Sequence, residues 1–168
     1  MKKLLLGLAF IAFVCLPLQA RSGQWIYTAG YKVASGTSAV VTLENPSDST
    51  KDARIISVEV YLESSAGDVT ISRDATSIAG GSGLTETKPS PYHGNAAIPA
   101  SAITAKSGAT VTGGTVLPVA RPIPAAGSII IAYGDIELVP GEDFAASVSA
   151  DSTDAITVIV VWEEFPAE

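Results

Sequence analysis

His93 is the sole imidazole in this chain of 168 residues. It stands in Lys88-Pro89-Ser90-Pro91-Tyr92-His93-Gly94-Asn95, a run whose composition predicts an exposed loop. A Ser-His-Asp relay through it could recruit Ser90 or a distant serine. The chain has no G-x-S-x-G nucleophile elbow, and a loop histidine beside Gly and Pro is expected to be solvated. Zinc needs three or four His, Cys or carboxylate ligands, and beyond residue 20 the chain holds one His and no Cys. Asp135 and Glu137 lie two apart, so on a strand they share a face at roughly 7 Å, a spacing that suits an inverting carboxylate pair. Acidic residues after a Tyr-Gly turn ordinarily face water. The adjacent pairs Glu142-Asp143 and Glu163-Glu164 point to opposite faces of a strand.

Other motifs are equally bare of chemistry. Asp151 with Asp154, or Asp48 with Asp52, could approach calcium, but no D-x-D-x-D-G loop is present. Gly80-Gly81-Ser82-Gly83 opens no helix, so it lacks the setting of a phosphate-cradling loop and reads as a flexible stretch. Asn45-Pro46-Ser47 fails as a glycosylation acceptor because proline fills the middle position. Trp25, Tyr27, Tyr31, Tyr92 and Trp162 are candidates for a sugar-stacking platform. No catalytic residue, cofactor or metal ligand is assigned, and the chain is expected not to be an enzyme.

The elements that must carry these residues are strands. Nothing after residue 20 repeats apolar residues at helical spacing over three turns. Alternating and β-branched runs recur, divided by Gly, Pro, Asn and Asp. Strands are predicted over Gln24 to Tyr31, Ser38 to Glu44, Ala53 to Glu63, Asp68 to Arg73, Ala97 to Ile103, Thr110 to Val119, Ser128 to Tyr133, Ile136 to Val139, Phe144 to Ala150 and Ala155 to Glu163. In Ala53 to Glu63 one face carries Ile56, Val58, Val60 and Leu62. This strand and Asp68 to Arg73 read as an antiparallel hairpin, with Val69 and Ile71 inward. Asp151-Ser152-Thr153-Asp154 reads as a turn. The expected fold is all-β: an antiparallel two-sheet sandwich, jelly-roll-like, of about 8–10 short strands, forming one domain over residues 21–168.

Residues 1–20, MKKLLLGLAFIAFVCLPLQA, read as a secretory signal peptide. Lys2 and Lys3 form the basic region, Leu4 to Leu18 the apolar one, and Ala20 offers the small residue before the cut. The apolar run is shorter than the roughly 20 residues of a spanning helix. Phe13 and Val14 stand where a lipoprotein signal wants small residues, so Cys15 reads as one more apolar position. Export is therefore expected, to the cell surface, the medium or the periplasm, with no membrane span.

The chain carries 10 basic and 17 acidic residues, a net charge of −7. Loss of Lys2 and Lys3 makes it −9. All the basic residues lie at or before Arg121, while nine acidic ones follow it. Such a balance repels phosphate backbones and excludes nucleic acid as a natural partner. It also favours solubility and discourages edge-to-edge aggregation.

Ile136-Glu137-Leu138-Val139-Pro140-Gly141-Glu142-Asp143-Phe144, an alternating strand, a polar stretch and Val158-Ile159-Val160-Val161-Trp162-Glu163-Glu164 resemble the last strands of small β-sandwich accessory proteins of tailed-phage virions and prophages. The resemblance covers about the last 30 residues, implies a sandwich and a virion role, and carries no functional residue over.

Ser128 to Tyr133 and Ala155 to Glu163 are apolar on both faces, as central or interface strands are. The candidate interface residues are Trp25, Tyr27, Ile129, Ile131, Ile159, Val161 and Trp162. The expected function is that of a secreted structural or adhesive subunit acting by self-assembly or binding. Its expected partners are copies of itself, as an oligomer or polymer, or a glycan or surface protein. A virion decoration or fibre protein and a carbohydrate-binding module are the alternatives.

Overall fold

A computed structural model describes residues 25–87, 99–117 and 121–167. The signal segment with Cys15, and the loop positions Ser90, Tyr92 and His93, lie outside the described residues. The strands are β1 (Trp25–Glu44), β2 (Lys51–Leu62), β3 (Gly67–Arg73), β4 (Ser77–Ala79), β5 (Ser82–Gly83), β6 (Thr104–Ser107), β7 (Thr110–Thr112), β8 (Thr115–Val116), β9 (Arg121–Ile123), β10 (Ser128–Ala132), β11 (Glu137–Leu138) and β12 (Asp143–Pro166). No helix occurs among the described residues. The fold is all-β and antiparallel, with one large sheet and one small. The large sheet runs β10-β2-β12-β1-β6-β5, with β3, β8, β9 and β11 branching from it; β4 and β7 form the small sheet.

The strands are not uniformly short. β12 spans 24 residues and β1 spans 20, and they pair from Trp25↔Glu164 to Glu44↔Asp143. The two separate segments expected at each end of the chain are thus one strand each. The polar tetrad Asp151 to Asp154 does not turn the chain back. Val33 pairs with Ile156, Gly36 with Asp154 and Ser38 with Ser149, so β12 holds surplus residues that bulge between matched segments. A bulge bends a strand and strengthens its twist, and here it puts a corner in the middle of the sheet.

The expected hairpin of β2 with β3 is also absent. Both strands pair with β12, β2 along Ile156–Pro166 and β3 along Phe144–Ala150. They run end to end along one side of β12, joined at the corner by residues 63–66. Gly67 is required where β3 begins, since a Cβ there would lie 2.2 Å from the Ser149 carbonyl oxygen. Asp154, buried at the same corner, receives Ser64 N, Ser64 Oγ, Ser65 N, Ser65 Oγ and Ala155 N. These donors hold its carboxyl well below the usual carboxylate range, the Ser64 and Ser65 amides contributing most.

In β2 the buried positions are Ala53 and Ile55, then Val58, Val60 and Leu62. The phase changes because Ser57 pairs with Val161 while Ile55 pairs with Trp162, leaving Ile56 as the extra residue of a bulge. Ile56 is therefore half-buried, and Ile55 takes the inward place predicted for it. Val58↔Val160 and Val60↔Val158 are cross-strand pairs without solvent exposure. Each such side chain contributes about 1.5–3 kcal/mol on burial. Val69 and Ile71 are inward as expected, and one continuous core joins both halves of the bent sheet.

The middle of the chain also departs from expectation. Residues 99–103 form no strand, and β6 begins at Thr104. Gly113 and Gly114 divide the predicted strand from Thr110 into β7 and β8. Gly80 and Gly81 take positive φ between β4 and β5, and Ser82–Gly83 form β5.

Candidate interaction surface

The predicted interface residues divide between the two faces of the large sheet. Tyr27, Ile131 and Trp162 are buried within the chain, and their rings and side chains meet the core rather than a partner. Trp25 and Ile129 are partly buried and pack against that core. Ile159 and Val161 lie on the opposite face, half-buried.

Directly paired residues of adjacent strands share a face, so the register defines the outer surface row by row. Ile130, Glu59, Ile159 and Gly30 cross β10, β2, β12 and β1 in one row. Ala132, Ser57, Val161 and Thr28 form the next. Ser128, Tyr61, Thr157 and Lys32 flank the first on its other side. A Cβ at Gly30 would make only ordinary contact with Ile159 Cγ1, at 3.6 Å. Ile130 is 60% exposed, Tyr61 43% and Ile26 40%. Sequence reading chose Ile129 and Ile131 from Ile129-Ile130-Ile131. The pairing makes Ile130 the exposed member.

The inner face holds a polar cluster that sequence reading missed. Tyr27 stacks on Trp162 at 5.8 Å between centroids and donates its hydroxyl to Pro99 O at 3.2 Å. The buried Glu164 carboxylate receives Trp162 Nε1, Ser101 Oγ, Ala102 N and Ile103 N. A carboxylate so supplied needs no counter-cation to be buried. It ties residues 99–103 onto β12. Burial, then the negative charges of Glu164 and Glu86, pushes the Tyr27 hydroxyl up to about 12, so it stays a donor. One sequence signal pointed here. Trp162 and Glu164 are two apart on an alternating strand, and an inward Trp162 carries Glu164 inward. The sugar platform is not formed by Tyr27 and Trp162, which stack on each other inside the fold.

Three acids of the last third, Glu137, Glu142 and Glu163, pair with arginines of the first half. Arg54 pairs with Glu137 and with Glu163, Arg73 with Glu142 and Asp74, and Lys106 with Glu44. Glu137, one of the two candidate hydrolytic carboxylates, thus faces a guanidinium, while Asp135 lies in the turn before β11. A groove of about 410 Å³ is lined in part by Glu44, Glu142, Asp143, Ala75 and Ile78. Asp143 accepts Ala75 N at 2.9 Å, yet burial outweighs that bond and holds its carboxyl above the usual range. Among the described residues no three His, Cys, Asp or Glu side chains converge to hold a metal. None of their helices is long and apolar enough to cross a membrane.

No family model and no curated protein matches the chain.

Proposed function

We propose that the protein is an exported structural or adhesive subunit that works by assembly or binding, not by catalysis. The observation that carries this reading is the outer surface of β10, β2, β12 and β1. There Ile26, Tyr61 and Ile130 stand exposed beside half-buried Ile159 and Val161. Exposed apolar side chains grouped on one sheet face mark interaction surfaces. The order of residues 1–20 supports export. The bent sheet with its shared core supports a sandwich of jelly-roll kind as the finer description of the fold.

The experiment is cell fractionation followed by intact mass and electron microscopy of the exported material. The expected product begins at Arg21 and forms particles or filaments larger than one subunit. A product retained in the cytoplasm with Met1 in place overturns the reading. A second reading, a virion decoration or fibre protein, is favoured by the resemblance of Ile136 to Phe144 and Val158 to Glu164. Capsid and tail genes flanking the coding sequence decide for it.

A further inference from the structure

β10 ends the large sheet, and among the described strands it pairs only with β2. The hydrogen bonds Leu62 N→Gly127 O and Tyr133 N→Ile56 O fix which of its residues face β2. By alternation, Ile129 and Ile131 bond inward with those two. Ser128, Ile130 and Ala132 turn their N–H and C=O groups outward. All three are exposed. Natural edges are blunted by lysine, proline, bulges or short length. Ser128-Ile129-Ile130-Ile131-Ala132 has no charge, no proline and no bulge in its register. At the other end of the sheet, β5 is two residues long and contains Gly83.

We infer that β10 pairs antiparallel with β10 of a second copy, about a two-fold axis at Ile130, so that two large sheets become one. This inference rests on the assembly reading above and names its contact. The strand is suited to its own copy. With Ile130 opposite Ile130 of the second copy, Ser128 falls opposite Ala132 and Ala132 opposite Ser128. All three outward N–H and all three outward C=O groups then find partners within the strand, and the flanking side chains are small. No other register about a two-fold closes all of them. Charge favours the same choice. A net-acidic chain repels its copy at most surfaces, but no charged residue lies between Arg121 and Asp135. The two-fold contact is isologous and closes at a dimer. The exposed Ile130 side chains meet on the outer face, extending the row through Glu59 and Ile159 in both copies.

The test is oxidative cross-linking of the purified full chain in a Cys15→Ser background, read against sedimentation of the unsubstituted protein. Hydrogen-bonded antiparallel partners sit about 5.5 Å apart at Cα, within disulfide reach. Ile130→Cys should form a disulfide-linked dimer. Ser128→Cys alone and Ala132→Cys alone should cross-link at least tenfold less, and a mixture of those two should cross-link with each other. Ile130→Pro removes only an outward N–H, a tolerated place for proline at an edge. It should leave the circular dichroism spectrum unchanged and raise the dimer dissociation constant at least tenfold. Assembly that persists while Ile130→Cys cross-links no better than Ser128→Cys overturns this contact and leaves the assembly reading standing. A protein that sediments as a monomer at all concentrations overturns both.

Discussion

The Asp154 carboxylate holds Ser65 across 89 residues of sequence, its Oδ2 accepting both Ser65 N at 2.8 Å and Ser65 Oγ at 2.9 Å. With the matching bonds from Ser64, this contact pins the corner at which β2 gives way to β3 while β12 runs through. A single ionised side chain thus ties together the corner that the β12 bulge creates.

Asp154→Asn should destabilise the protein at neutral pH, because an amide nitrogen replaces one of two oxygens that together face five donors. The wild-type carboxyl titrates lower in the folded state than its value of about 4 when unfolded. Its contribution is thus present above about pH 4 and lost as pH falls below that. Asp143, held above its usual range, acts in the opposite sense and softens the acid loss. Denaturant titrations from pH 7 downward should show a weaker acid dependence in Asp154→Asn than in wild type. An unchanged acid profile would contradict the role of the corner.

Tyr27 supplies an alkaline counterpart. Its hydroxyl is near 10 unfolded and about 12 folded, so the folded state holds the proton more tightly. The associated stability is present below pH 10 and is lost as pH rises from about 10 to 12. Tyr27→Phe should cost about 1 kcal/mol at neutral pH through loss of the bond to Pro99 O. It should also flatten the alkaline fall in unfolding midpoint. A Phe variant with the wild-type alkaline curve would assign that fall to another group.

Much of the strand content was legible because alternation survives wherever a strand has one wet face. Val58, Val60, Val69, Ile71, Val158 and Val160 all lie inward as their spacing indicates. Two of the departures have one physical origin. A bulge keeps a strand going while changing its phase, and sequence offers no sign of it beyond polar residues that a turn would equally well explain. Asp151 to Asp154 looked like a turn for this reason, and Ile56 was taken for an inward residue. Register also determines which member of Ile129-Ile130-Ile131 faces water, and register is a property of β2 as much as of β10. Glu163 and Glu164 are adjacent and point to opposite faces of a strand, so their spacing gives Glu164 no partner in its neighbour. Its four donors come from residue 162 and from the distant segment 101–103.

Trp162→Ala should be among the most damaging single changes, at about 3–5 kcal/mol. It empties a fully buried site, removes the stacking partner of Tyr27 and takes one donor from Glu164. Trp162→Phe should cost less, retaining the ring contact but not the indole N–H. Thermal unfolding of both variants checks the order, and equal losses would argue that the ring contact adds nothing beyond the bond to Glu164.

Arg54→Ala should cost no more than about 1 kcal/mol despite ending two ion pairs, since Arg54 and Glu137 are both partly exposed. The loss should shrink in high salt, where exposed pairs are screened. Denaturant midpoints at low and high ionic strength measure it. A loss that grows with salt would mean that Arg54 acts chiefly through its contact with the Phe165 ring, 5.2 Å from the guanidinium carbon.

The central claim is that the chain acts by associating through its own strands, and light scattering over a concentration series at low and high salt tests it most directly. The claim predicts a mass above the 17.1 kDa of one full chain, rising with concentration. It should rise further at high salt, where repulsion between net-acidic subunits is screened. A single-subunit mass at every concentration and at both salt levels would contradict it.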